Sequence, residues 1–237
     1  MKHGNLKEVI LLKKDKLVIL ESKFKIKLSN GINLVGFILI MMAGWIDAVA
    51  IRLLLNHSPT FMTGRAEKLA YSIFNADFEA FFLIGIVIIA FILGAYLSTL
   101  ITRKTGLMGG LTFAGVLIII GSFPVCLNHK IMDSVLLPMA MGGQNAATSL
   151  TMINRTTHLT GSATDIGINI AKGNWRMVYF WLMRWIGFPI GSLIGFNLVN
   201  LVESNSLTIS SIMIMPAVII IVTGVLQRLI FNIQLLE

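Results

Sequence analysis

The sequence predicts an all-α, polytopic membrane protein: six transmembrane helices arranged as a 3+3 inverted repeat, with a short helix after spans one and four. Three observations lead there. The 237-residue chain is 56% apolar and 13% charged, with a mean hydropathy of +0.84, whereas roughly a quarter of the residues of a soluble domain are charged. Six apolar runs each approach the roughly 20 residues a helix needs to cross hydrocarbon. One stretch also occurs twice, at a fixed separation of 97 positions.

That stretch organises the chain. Gly44 to Leu69 reads GWIDAVAIRLLLNHSPTFMTGRAEKL, and Met141 to Ile166 reads MGGQNAATSLTMINRTTHLTGSATDI. One ungapped shift carries Asp47 onto Gln144, Ala50 onto Ala147, Thr63-Gly64 onto Thr160-Gly161 and Ala66 onto Ala163. It also carries Ala90, Gly94 and Ser98 onto Gly187, Gly191 and Gly195. Small residues four apart form one stripe along a helix, so a packing face is repeated together with the letters.

Taken in order, residues 1–30 form a basic arm holding eight of the nineteen basic residues. Its apolar clusters are too short to span, and it reads as an interfacial helix or loosely ordered tail on the cytoplasmic side. The six runs follow at Ile32–Leu55, Ala80–Thr102, Leu107–Leu127, Ser134–Ile153, Met177–Asn200 and Leu207–Phe231. With the N-terminus inside, 14 basic residues, counting Arg228 near the end of the last span, fall on the cytoplasmic side and 3 on the other, so both termini are expected to be cytoplasmic. Three spans per repeat then make residues 31–127 and 128–237 two halves of opposite polarity, a plan many secondary transporters share.

The connections after spans one and four each hold a Thr-Gly followed by a short helical pattern. Thr63 and Thr160 suit N-caps, Gly64 and Gly161 admit close backbone approach, and a helix start presents unpaired N–H groups. Two readings stand: re-entrant half-helices aimed at a shared central site, or surface helices capped by Thr-Gly.

These residues carry a resemblance. Gly44-Trp45-Ile46-Asp47-Ala48 with Met62-Thr63-Gly64, then Met141-Gly142-Gly143-Gln144-Asn145-Ala146 with Leu159-Thr160-Gly161 and Thr164-Asp165, resemble the paired signatures of the YoaK-like family of small bacterial integral membrane proteins. The resemblance covers nearly all of the chain after the basic arm. It implies a six-helix inner-membrane protein and brings no substrate, because the family's biochemical role is unassigned. The family pattern usually continues Met-Thr-Gly with Asn. Arg65 stands there in this chain, which puts any role of that amide in question and sets a cation beside the helix start.

Charges inside spans are costly, at least a few kcal/mol each. Asp47 and Arg52 on span one and Arg184 on span five are the three expected there. Asp47 and Arg52 lie about 140° apart around a helix and are poorly placed to pair. An Asp47–Arg184 pair near the pseudo-twofold is expected instead, as a structural lock or as a solute or proton site, with Gln144 the neutral counterpart of Asp47. Gln144 and Asn145 suit either interhelical bonds or a polar cavity wall.

No zinc, nucleophile-elbow, phosphate-loop or dinucleotide motif is present, and neither enzyme activity, cofactor nor metal is expected. His57 and His158 could relay protons with Asp165, although an interfacial His is more often simply hydrated; Cys126 has no evident base. The leading expectation is a transporter or channel-like protein for a small polar or anionic solute, with Asp47 available for proton coupling. Its expected site is Asp47, Thr63, Gly64, Arg65, Gln144, Asn145, Thr160, Gly161 and Arg184. The expected partners are the lipid bilayer, the solute and a second copy joined through the small-residue stripes, with no nucleic acid. The alternative is a non-transporting scaffold or regulatory subunit whose stripes pack against partner helices.

Overall fold

A computed structural model describes residues 29–54, 58–123, 130–157 and 159–236. Most of the basic arm, His57, Cys126 and His158 lie outside them. The chain is all-α and multi-pass. Eight helices occur among the described residues: α1 Ser29–Leu54, α2 Met62–Phe74, α3 Phe78–Thr105, α4 Leu107–Gly121, α5 Lys130–Ser149, α6 Leu159–Ala171, α7 Trp175–Glu203 and α8 Ile209–Ile230.

Four of them, α1, α3, α7 and α8, are long and apolar enough to cross a membrane. The two remaining runs end short of expectation. Helix α4 stops after 15 residues, where Ser122 turns its amide back to Ile118 and Ile119. Helix α5 stops at Ser149 rather than Ile153. There the Thr151 hydroxyl donates to the Thr148 carbonyl and accepts from the Ile153 amide, and Asn154 takes a φ of 66°.

Helix α1 is the central element. Of its apolar window 72% is buried, against 28% for α3 and 22% for α7, which turn their other faces outward. Around α1 the fully buried side chains include Leu39, Ile40, Ile46, Leu111, Leu137 and Ile212. In lipid such a core is held by close packing rather than by water exclusion, so small residues decide where helices meet.

Two crossings show this. Where α1 meets α7, a Cβ on Gly44 would collide with the Phe188 carbonyl oxygen, and one on Gly191 with that of Met41. Where α5 meets α3, a Cβ on Gly142 would collide with the Phe91 carbonyl, and one on Gly94 with that of Met139. Along the first pair Gly187, Gly191 and Gly195 meet Ile40, Met41 and Trp45 in turn, so the two helices run the same way. The glycine stripes are therefore filled inside one chain. They are not free to join a second copy, and that expected route to an oligomer is withdrawn.

The duplication extends to backbone detail. Helices α2 and α6 have matching bounds 97 positions apart, and α3 and α7 start 97 apart. The turns between them match too. Asp77 and Asn174 each cap the following helix through a side-chain oxygen, accepting from Ala80 and Met177. The Asp77 amide donates to Ser72 and the Asn174 amide to Asn169, and the residues before the caps, Ala76 and Gly173, have φ of 52° and 67°.

The crossings reveal a different register on α1 and α5. Met41, Gly44 and Trp45 occupy the places of Met139, Gly142 and Gly143, the last accepting from the Ser98 hydroxyl where Gly195 lies on Trp45. The separation there is 98, not 97, so the first half holds one extra residue between its first helix and its hairpin. Ala50–Leu54, the end of α1, is π-helical, the form in which a helix absorbs a single inserted residue. The place of Asp47 in the second half therefore belongs to Asn145, which corrects the expected Asp47–Gln144 correspondence.

Candidate functional site

The turn before α2 builds one wall of the site. The Ser58 hydroxyl accepts from the amides of Thr60 and Phe61 and donates to Asp47 Oδ2 at 2.5 Å. The Thr60 hydroxyl donates to the same oxygen at 2.6 Å. Because Ser58 already caps this turn, α2 starts at Met62, with Phe61 at the N-cap and no side-chain bond there. Thr63 and Thr160 consequently lie in the first helical turns, not at the caps the sequence alone suggested, and the N-cap of α2 offers its first-turn amides no side-chain acceptor.

A cavity of about 620 Å³ lies over this wall. Asp47, Ile51, Ser58, Thr60, Phe61, Met62 and Thr63 line it from the first half; Arg155, Thr157, Leu159, Thr160, Gly161 and Phe188 line it from the second. Four pairs, Ser58 with Arg155, Thr60 with Thr157, Met62 with Leu159 and Thr63 with Thr160, are 97 positions apart. Equivalent parts of the two hairpins thus face one space. A Cβ on Gly161 would meet no atom within 4 Å, so this helix start is open on that side. At Gly64 it would strike the Phe61 ring, and Gly64 lines a neighbouring cavity of about 330 Å³ instead.

Asp47 is only 4% exposed. Both hydroxyl bonds end on Oδ2, and Oδ1 has no partner among the described residues. Thr157, also 4% exposed, has a hydroxyl without a partner among the described residues. Two such buried polar atoms on one cavity wall require an explanation, because such atoms are normally satisfied. Arg65 is buried beside this wall and donates to the Ser58 carbonyl at 3.3 Å, holding the turn from beneath. Burial works against its charge, and the Asp47 carboxylate works for it.

The expected Asp47–Arg184 pair does not form. Arg184 is fully buried, donates to the Ile153 carbonyl through Nε and Nη2 and to the Phe180 carbonyl through Nη1, and lies over the Phe180 ring. Gly36 leaves room for the guanidinium. Arg184 therefore ties α1, α7 and the turn after α5 together, away from the cavity. Arg52 is not an interior charge either. It is exposed at the π-helical end of α1 and pairs with Glu203 at 2.8 Å. Gln144 is enclosed, donating to the Leu39 carbonyl and Thr156, and the buried Oδ1 of Asn145 has no partner among the described residues. Neither Gln144 nor Asn145 lines the cavity.

Of the expected site, then, Asp47, Thr63, Thr160 and Gly161 come together; Gly64 and Arg65 stand behind; Gln144, Asn145 and Arg184 do not join. Ser58, Thr60, Arg155 and Thr157 were missed. The signal for Thr60 and Thr157 was available, since they fall within the repeated stretch at the same separation as the Thr-Gly pairs.

Comparison with known families decides the identity. The family described as "Protein of unknown function (DUF1275)" matches residues 35–225, which takes in both crossings and the whole cavity. The chain belongs to this family. It is the YoaK-like family of small bacterial membrane proteins, whose function is unassigned. No curated protein and no solved structure matches the chain.

Proposed function

We propose that the chain passes a small polar or anionic solute through a central site between two inverted three-helix halves. The observation that carries this is the cavity lined by equivalent residues of both hairpins, Thr60, Met62 and Thr63 facing Thr157, Leu159 and Thr160.

In this reading α2 and α6 are re-entrant. Each has 13 residues, about 20 Å of helix at 1.5 Å per residue, and each folds back on the long helix that follows it. Phe188, on the cavity wall, lies about 20 Å along α7 from its start, well inside a hydrocarbon layer of about 30 Å. Two half-helices entering from opposite faces, N-termini inward, would meet there, as broken helices do in several transporter folds. Helices α4 and α5 complete the six spans, the termini are cytoplasmic, and the site binds and releases its solute without chemical change.

The scaffold alternative draws no comparable support, because the glycines it would offer to partners are covered within the chain. One experiment separates the two. In a Cys126→Ser background, Thr63→Cys and Thr160→Cys proteins in sealed vesicles are treated with a membrane-impermeant thiol reagent from each face. Transport predicts that both cysteines react, and by the same route, because they line one cavity. A scaffold predicts no reaction at either, and that result would end the solute-site reading.

A further inference from the structure

We propose that the cavity takes a zwitterion carrying an apolar group, an α-amino acid of the leucine type, with its ammonium at Asp47 and its carboxylate at the two helix starts. This rests on the solute-site reading above and narrows it.

The negative end is specified by atoms. Asp47 Oδ2 is occupied by two hydroxyls, while Oδ1 and the Thr157 hydroxyl, both buried in the wall, have no partner among the described residues. An ammonium brings three donors and no acceptor, which suits two such oxygens. Arg65 supports this end from behind: it donates through Nη2 to the Ser58 carbonyl, its charge is favoured by the Asp47 carboxylate, and it lines the neighbouring cavity rather than this one.

The positive groups line the same space. The starts of α2 and α6 face the cavity at Thr63, Thr160 and Gly161, and the N-cap of α2 makes no side-chain bond. Each helix start carries roughly half a positive charge, and Arg155 adds a whole one on this wall. A plain carboxylate entering here meets the Asp47 charge, and a plain amine meets two helix starts and Arg155. A molecule with both charges a few bonds apart satisfies both ends.

The remaining wall is Ile51, Phe61, Met62, Leu159 and Phe188, all apolar, and asks for a hydrocarbon group rather than a second polar arm. The volume of about 620 Å³ is ample for such a molecule, within the range of roughly 300–1,000 Å³ usual for ligand sites.

The test uses three matched probes: leucine, 4-methylpentanoate, which lacks only the amino group, and isoamylamine, which lacks only the carboxylate. Apparent affinities come from the concentration dependence of Tm of the full-length protein in lipid nanodiscs. Leucine is expected to bind at least about tenfold tighter than either fragment. In Asp47→Asn its advantage over 4-methylpentanoate should shrink to within about threefold. Thr157→Val, similar in shape, should reduce the same advantage and serves if Asp47→Asn does not fold.

If 4-methylpentanoate or isoamylamine equals leucine, the site is for a single charge and the zwitterion proposal is wrong. An advantage unchanged in both variants would place the ammonium elsewhere and overturn it too, as would no response to any probe. The thiol-access experiment reads the cavity without a ligand, so accessible cysteines with no leucine response would leave the solute-site reading standing and remove only this one.

Discussion

In the first half Asp47 stands over Ser58 and Thr60, and both hydroxyls donate to it. In the second half the place of Asp47 belongs to Asn145 and that of Thr60 to Thr157, and each has an oxygen with no partner among the described residues. The hairpins beneath them are nearly superposable in their bounds, caps and turn bonds. The scaffold is thus symmetric while the polar side chains mounted on it differ. One half holds a prearranged anion with its hydroxyl donors in place; the other has Asn145 and Thr157 at those places and a cation, Arg155, at the place of Ser58. A duplicated fold in a membrane can do this because packing is set by glycines at the crossings, leaving the polar positions free to change.

The harshest way to break the comparison is at those crossings. Gly191→Leu forces a side chain into the backbone of Met41, and Gly94→Leu forces one into that of Met139. No rotamer relieves a clash that begins at Cβ, so the helices must separate, and each substitution is expected to cost at least about 3 kcal/mol. Both proteins should lose monodispersity and cooperative thermal unfolding in detergent. If one crossing tolerates leucine and the other does not, the two are not equivalent and the packing symmetry is only apparent.

A milder change asks whether the polar asymmetry is built into the surroundings. Asn145→Asp puts a carboxylate where no side-chain hydroxyl among the described residues donates to it, and a buried charge without a partner costs about 3 kcal/mol. Asp47→Asn keeps an oxygen that can accept from Ser58 and Thr60, and should change stability by about 1 kcal/mol or less. Unfolding of the two variants at neutral pH, side by side, reads the difference directly. Equal costs would mean that the Ser58–Thr60 arrangement contributes nothing to holding the acid.

What was legible beforehand follows the same division. The hairpins could be read because a shift of 97 repeats letters that set turns and stripes. The one-residue slip on α1 could not, since an insertion inside an apolar run leaves no marker, and only the π-helical turn and the opposed glycines expose it. Arg184 was legible as an interior charge, but its partners are the carbonyls of Ile153 and Phe180, which no sequence letter encodes. Pairing it with the one deep acid was therefore the natural error. Asp47 and the Thr-Gly helix starts were found because charge and glycine are conspicuous. Thr60 and Thr157 were passed over because a hydroxyl near an apolar span looks unremarkable until a carboxylate is seen beside it.

The smallest effect tests the symmetry of the turns themselves. Ala76 and Gly173 stand at equivalent positions with φ of 52° and 67°, in the left-handed region that costs a residue with a Cβ about 1–2 kcal/mol and glycine almost nothing. A Cβ at Gly173 would touch nothing within 4 Å, so Gly173→Ala adds backbone strain without a clash and should destabilise by about 1 kcal/mol. Ala76→Gly removes that strain but gives the unfolded chain more freedom, which returns roughly 0.5–1 kcal/mol of the gain, leaving a net stabilisation of a few tenths. The substitutions should therefore shift Tm in opposite directions, the downward shift being the larger. If Ala76→Gly also lowers Tm, the first turn is held by something its twin lacks, and the hairpins match in shape without matching in energy.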